Sequence, residues 1–156
     1  MRIALGTDHA GLELKVQLAE FLRAGGHDVT DVGAYELDPQ DDYPDFALLV
    51  AEAVSNASVD RGILVCGSGV GASVAANKVP GVRAAMCHDS YSAHQGVEHD
   101  DMNVLCLGAR IVGIALATEI IENFLGASFS GEERHVRRLN KVLAIEAAHY
   151  LKRERT

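Results

Sequence analysis

The stretch Ile63–Lys78, ILVCGSGVGASVAANK, decides the fold. An unbroken apolar run ends in Cys66, glycines follow at 67, 69 and 71, and a run of small residues comes next. Strand, glycine turn and helix in that order form the repeating unit of a parallel α/β sheet. Such a turn exposes backbone N–H groups, and the helix N-terminus adds positive partial charge. A thiol at that spot is expected to have a depressed pKa and a raised thiolate fraction. Cys87 and Cys106, with no glycine turn after them, read as small buried apolar residues.

The same alternation extends in both directions. RIALG ends at Gly6-Thr7-Asp8, and Leu14, Leu18, Phe21 and Leu22 then recur at helical spacing up to Gly25-Gly26. HDVTDVG is a second strand, followed by the acidic loop ELDPQDDYPD and a helix with Phe46, Leu49, Val50, Ala53 and Val54 on one face. VRAAMCHD and NVLCLG are the fourth and fifth strands, separated by a helix over about 90–99. Ala117, Ile120, Ile121, Phe124 and Leu125 mark the next helix. A last helix, from about 131 to 155, carries Val136, Leu139, Leu143, Ala147 and Tyr150 inward. Short, continuously apolar strands alternating with helices predict one domain over residues 1–156. Its fold is a three-layer α/β/α sandwich around a five-stranded parallel, Rossmann-like sheet. Ligands in such sheets sit beyond the carboxyl ends of the strands. That rule selects Asp8-His9, the loop after Cys66, His88-Asp89 and Gly108 to Arg110.

Composition narrows the function. The 156 residues carry a net charge of −8, which argues against non-specific nucleic-acid binding. No basic segment followed by a long apolar run opens the chain, and NVLCLGARIVGIALAT is broken by Arg110 and two glycines. Neither a signal peptide nor a membrane span is expected. Three cysteines without a Cys-x-x-Cys pair suit reduced thiols in the cytoplasm. The acidic loop and the basic ERHVRRLNK segment both allow the plain reading of solvated surface.

Motif tests leave a short list. A Walker A loop needs Gly-Lys-Ser/Thr, which is absent, and a cysteine-phosphatase loop needs an arginine where Ala72 stands. Gly67-x-Gly69-x-x-Ala72 fits a loose dinucleotide fingerprint, but on the third strand of a short chain. The seven histidines show no metal-binding spacing, so no metal is expected. What remains is a base or nucleophile at Cys66, an acid/base among His9, His88, His94 and His99, and the cations of RHVRR. Arg134 and Arg138 share one helix face, which suits an anionic small molecule such as a phosphate ester. Paired with Glu132 and Glu133, the same arginines would be a solvated face.

GTDHAG (6–11), DYPD (42–45), CGSGVGASVAANK (66–78), GVRAAMCHD (81–89), EHDDMNVLCLGAR (98–110) and ERHVRRL (133–139) stand in the order and spacing of one family. The chain resembles the type B ribose-5-phosphate isomerases, whose wider family includes allose- and galactose-6-phosphate isomerases. The resemblance runs from Met1 to about Ala148. It implies an aldose–ketose isomerase of the pentose phosphate pathway that works without metal or cofactor. It further implies Cys66 as the base moving a proton between C1 and C2, with Ser68 and the Gly67, Gly69, Val70 and Gly71 backbone as the anion hole. His99 would open the furanose ring. Asp8, His9, Arg134 and Arg138 would contact sugar and phosphate, with Arg110, Tyr43 and Asp100 lining the same site. The family shares each site across a homodimer, or a tetramer built from it, and orders its strands 2-1-3-5-4.

The chain departs from the family pattern in two places. Ser68 stands where threonine is usual, and Asp100 where asparagine is usual. An ionised Asp100 only accepts hydrogen bonds, and beside His99 it would favour the imidazolium. Two alternatives stay open: an isomerase of a hexose or tetrose phosphate, and a regulatory module that binds a nucleotide or sugar phosphate without chemistry. A binding module would need neither Cys66 nor His99.

Overall fold

The computed structural model describes residues 1–153, with side chains as far as residue 149. Five strands, β1 (Arg2–Thr7), β2 (Asp28–Asp31), β3 (Arg61–Cys66), β4 (Ala84–Met86) and β5 (Val104–Gly108), form one parallel sheet in the order β2-β1-β3-β5-β4. The helices are α1 (Leu12–Ala24), α2 (Tyr43–Ser55), α3 (Val70–Ala76), α4 (Ser90–Asp100), α5 (Ile114–Gly126) and α6 (Glu133–Arg153). A short 3₁₀ turn, His9–Gly11, follows β1. The expected three-layer sandwich and the exchanged last two strands are both present. The final two positions of the helix expected to reach residue 155 lie outside the described residues.

Period-two alternation on the strands sorts the core into two layers. Ile3, Leu5, Ile63, Val65, Leu105 and Leu107 pack against α1, α4 and α5. Ala4, Leu64, Cys66, Val104 and Cys106 point the other way, against α2 and α3. A helix follows β1 on one face and β2 on the other, so the crevice between the carboxyl ends of β1 and β3 is the topological switch point. Asp8 closes β1 and Cys66 closes β3 at that crevice. Toward the amino end of β3, Gly62 lets α2 come close to the sheet, since a Cβ at 62 would lie 2.6 Å from Val50.

Two helix faces differ from the sequence reading. On α2 the buried residues are Ala47, Val50, Ala51 and Val54, while Leu49 is exposed. On α6 most of the apolar face is left uncovered by the described residues. Val136, Val142, Leu143 and Ile145 are exposed, Ala147 is exposed, and Leu139 is half-buried. The side chain of Tyr150 lies outside the described residues. The helical period predicts which residues share a stripe but not whether the same chain covers it. The α6 stripe borders a groove along the β4 edge, lined by Val82, Ala84, Ala85, Met102, Leu139 and Val142 among others. Among the described residues no helix is long and apolar enough to cross a membrane.

Candidate active site

The turn after β3 is built by Gly69, which takes φ +82°, a left-handed conformation that side chains disfavour. It starts α3 at Val70 and turns backbone N–H groups toward Cys66. The Ser68 hydroxyl accepts from the Val70 N–H at 3.3 Å and is otherwise open to solvent. The Arg110 guanidinium lies over Gly67, its Nε 3.7 Å from where a Cβ would stand. Backbone bonds from Ala109 to the Cys66 carbonyl (2.8 Å) and from Arg110 to that of Gly67 (3.1 Å) fasten the β5 loop to this turn. The Tyr43 ring, at the start of α2, sits against Gly71, where a Cβ would fall 2.8 Å from the ring.

Cys66 is buried, and its Sγ–H donates to Asp8 Oδ2 at 3.3 Å. The other Asp8 oxygen accepts from the Ala10 N–H at 3.1 Å. Burial, then the Asp8 hydrogen bond and charge, push the Cys66 thiol up from its ordinary value. The expectation of a depressed pKa is therefore corrected. The Gly69 and Gly67 N–H groups do lower it, as the glycine turn implies, but desolvation and a carboxylate outweigh them. Burial pushes Cys87 up to about 11 and Cys106 higher still, as expected of structural thiols.

His9 stands beside this crevice. Its ring Nδ1 is 2.5 Å from Asp41 Oδ1, and its backbone N–H donates to the same carboxylate at 2.9 and 3.1 Å. The Asp41 hydrogen bond is the largest cause raising the His9 pKa; Asp8 adds to it, while desolvation and Arg110 oppose it. Asp8, His9, Tyr43, Cys66, Ser68, Gly67–Gly71 and Arg110 thus come together at one end of the sheet.

His99, Asp100, Arg134 and Arg138 do not join them within the chain. α4 leaves the carboxyl end of β4 and returns to the amino end of β5, so its last turn lies at the amino end of the sheet, opposite the end that holds Cys66. There the His99 ring stacks on His135 with centroids 4.0 Å apart. His135 is buried and its Nδ1 is 2.6 Å from Ser130 Oγ. Burial first, then His99, Arg134 and, more weakly, Arg138, lower the His135 pKa. Arg134 pairs with Glu132 at 2.8 Å and is exposed, as the solvated-face reading anticipates. The carboxylate within ion-pair reach of His99 is Glu98, at 3.5 Å; Asp100 instead lines the groove with Arg83 and Leu139.

Two other histidine candidates have local partners. His88 Nε2 accepts from the Gly108 N–H at 2.9 Å, which ties β4 to β5, and His94 lies 4.0 Å from Glu98. Among the described residues no cluster of His, Cys, Asp and Glu is placed to hold a metal ion. Sequence reasoning did not single out Asp41 or His135. Asp41 hides in an acidic run, and His135 sits between arginines that drew the attention.

Comparison with known proteins fits this geometry. The ribose/galactose isomerase family model matches residues 3–142. The chain is 45% identical over 145 residues to ribose-5-phosphate isomerase B of Escherichia coli, covering 93% of this chain and 96% of that one. It is 43% identical over 134 residues to D-erythrulose-4-phosphate isomerase of Pectobacterium atrosepticum, covering 84% and 86%. The structure of ribose-5-phosphate isomerase B from Mycoplasma genitalium with bound ribulose-5-phosphate matches with a TM-score of 0.89 at 44% identity, covering 94% and 96%. With a glycine turn over a buried thiol at the switch point and a family match across most of its length, the chain belongs to the ribose/galactose isomerase family.

Proposed function

We propose that the chain is an aldose–ketose isomerase interconverting ribose 5-phosphate and ribulose 5-phosphate. The observation that carries this reading is Cys66, held at the switch-point crevice between the Asp8 carboxylate and the N–H groups of the glycine turn. In the open-chain aldose, the Cys66 thiolate removes the C2 proton. The C2–H electron pair forms the C1=C2 double bond, and the carbonyl oxygen takes up negative charge as an enediolate. The turn N–H groups and Ser68 stabilise that charge; removing one such donor typically costs about 100- to 1,000-fold in rate. The proton then returns to C1 as the C2=O2 carbonyl forms, and the O2 hydroxyl gives its proton to the O1 oxyanion, leaving the ketose. Asp8 accepts the thiol proton as the thiolate forms and returns it between turnovers, and Tyr43 walls the site.

The ring-opening acid/base is His99, and Arg134 and Arg138 grip phosphate together with His9 and Arg110, in a homodimer whose sites are shared. Two features support sharing. His99, stacked on His135 beside Arg134, lies at the opposite end of the sheet from Cys66 in its own chain, and α6 carries an apolar stripe left exposed among the described residues. Three free cysteines suit a cytoplasmic setting.

A second reading changes only the sugar. The similar identity of the D-erythrulose-4-phosphate isomerase favours testing a tetrose phosphate beside the pentose. Incubation with ribose 5-phosphate should yield ribulose 5-phosphate. Turnover of erythrulose 4-phosphate with none of ribose 5-phosphate would move the assignment to the tetrose. Binding without turnover of any sugar phosphate would return the chain to a regulatory module.

A further inference from the structure

His9 is held at two points by one carboxylate. Asp41, in the loop before α2, accepts from the His9 main-chain N–H at 2.9 and 3.1 Å and lies 2.5 Å from the ring Nδ1. The Asp41 side chain is 10% exposed, although it belongs to an acidic run that reads as solvated surface. Nδ1 is thereby committed to Asp41, and Nε2 has no hydrogen-bond partner among the described residues. The charged groups facing the ring are Asp41 from the loop, Asp8 from the end of β1 and Arg110 from the loop after β5. An imidazolium and a guanidinium brought together this way repel one another, and an anion between them relieves the repulsion.

We propose that Asp41 is a positioning residue for substrate binding: it fixes the His9 ring through Nδ1 and the main chain, so that a charged Nε2–H is presented with Arg110 to the substrate phosphoryl group. This rests on the reading that the crevice takes a sugar phosphate. Asp41 touches no reacting atom; it acts through His9. A carboxylate partner favours the protonated ring, so the donor charge persists above the pH at which an ordinary histidine loses it.

The test is Asp41→Asn, which keeps the size of the side chain and an acceptor for the His9 N–H. Without the carboxylate, a His9 returned to the ordinary value near 6.5 would be only about one-tenth protonated at pH 7.5, so KM for ribose 5-phosphate should rise there by up to about tenfold. The difference from wild type should shrink at pH 5.5, where both rings are protonated, and kcat should stay within about twofold. The His9 Cε1–H resonance should titrate at lower pH in the variant than in wild type. Asp38→Asn in the same loop, whose carboxylate caps Gln40 at 2.9 Å, should leave both readouts at wild-type values. A KM change of equal size at every pH, or an unmoved His9 titration, would overturn the proposal and leave Asp41 a loop cap. Inorganic phosphate, titrated against the same resonance, reads the proposal without turnover. Phosphate binding that weakens in Asp41→Asn at pH 7.5 but not at 5.5 supports it even in a chain with no isomerase activity, whereas equal binding in both proteins overturns it.

Discussion

The Cys66 thiol donates to Asp8 Oδ2 across 3.3 Å, joining the carboxyl ends of two adjacent parallel strands at the switch point. The contact puts a proton acceptor directly behind the sulfur, and the glycine turn faces it from the other side. Cys66→Ala should therefore lower kcat for ribose 5-phosphate by roughly 100- to 10,000-fold, the range of a positioned base. KM should stay near wild type, because the phosphate-binding cations are other residues. Steady-state kinetics with an undiminished kcat would give the base to another group.

The same contact sets the ionisation of the thiol. Burial raises the Cys66 pKa, and the Asp8 hydrogen bond and charge raise it further. Asp8→Asn removes the charge while keeping an acceptor, so the thiol pKa should fall and the thiolate fraction at pH 8 should rise. Iodoacetamide should then alkylate Cys66 faster in the variant, as read by peptide mass spectrometry, with Cys87 slow in both because burial holds it near 11. Slower alkylation would make Asp8 an activator of the thiol rather than the group that keeps it protonated.

His135 makes stability depend on pH in a definite direction. Its pKa is lowered in the folded chain, chiefly by burial and then by His99 and Arg134. The unfolded chain, with histidine near 6.5, therefore binds a proton at a pH where the native ring stays neutral. Stability from this group is complete above about pH 6.5 and is lost as pH falls from there toward the lower native value. His135→Gln removes the titration and can still bond Ser130, so the decline of Tm between pH 7 and 5 should become shallower. His9, raised by Asp41, acts in the opposite sense and is unchanged by this variant. An identical slope in both proteins would place the acid sensitivity elsewhere.

The parallel sheet was legible because its strands are continuously apolar and each ends in a turn, and the cysteine loop because its glycines interrupt that pattern. The exchange of β4 and β5 was not, since both strands read alike and only the crossover path distinguishes them; resemblance supplied it. The direction of the Cys66 pKa follows from burial first and then from Asp8, which is distant in sequence and brought close by the β1–β3 pairing. Asp41 was invisible for a similar reason. One carboxylate in ELDPQDDYPD is chemically like the next, and only the turn after β1 selects which of them meets His9. The outward stripe of α6 has the period of a buried one, and no periodicity says whether the rest of the chain covers it.

That stripe bears on the last prediction, which concerns His99. In one chain α4 runs back along the sheet, so His99 and Cys66 are separated by about the length of β5, roughly 16 Å at 3.3 Å per residue. A proton relay acts over hydrogen-bond distance, so the two cannot serve one sugar unless a second chain brings His99 to the crevice. Cys66→Ala and His99→Asn should each be nearly inactive alone on the cyclic sugar. Mixed by co-refolding, they should form dimers in which one site carries both lesions and the other carries none. Random pairing makes about half the dimers mixed, and each mixed dimer has one intact site of two, so activity should recover to about a quarter of wild type. Recovery should require the mixture and vanish when either variant is refolded by itself. A mixture no more active than its parts, with dimers present by sedimentation, would place both residues in the same chain's site and remove the shared-site arrangement.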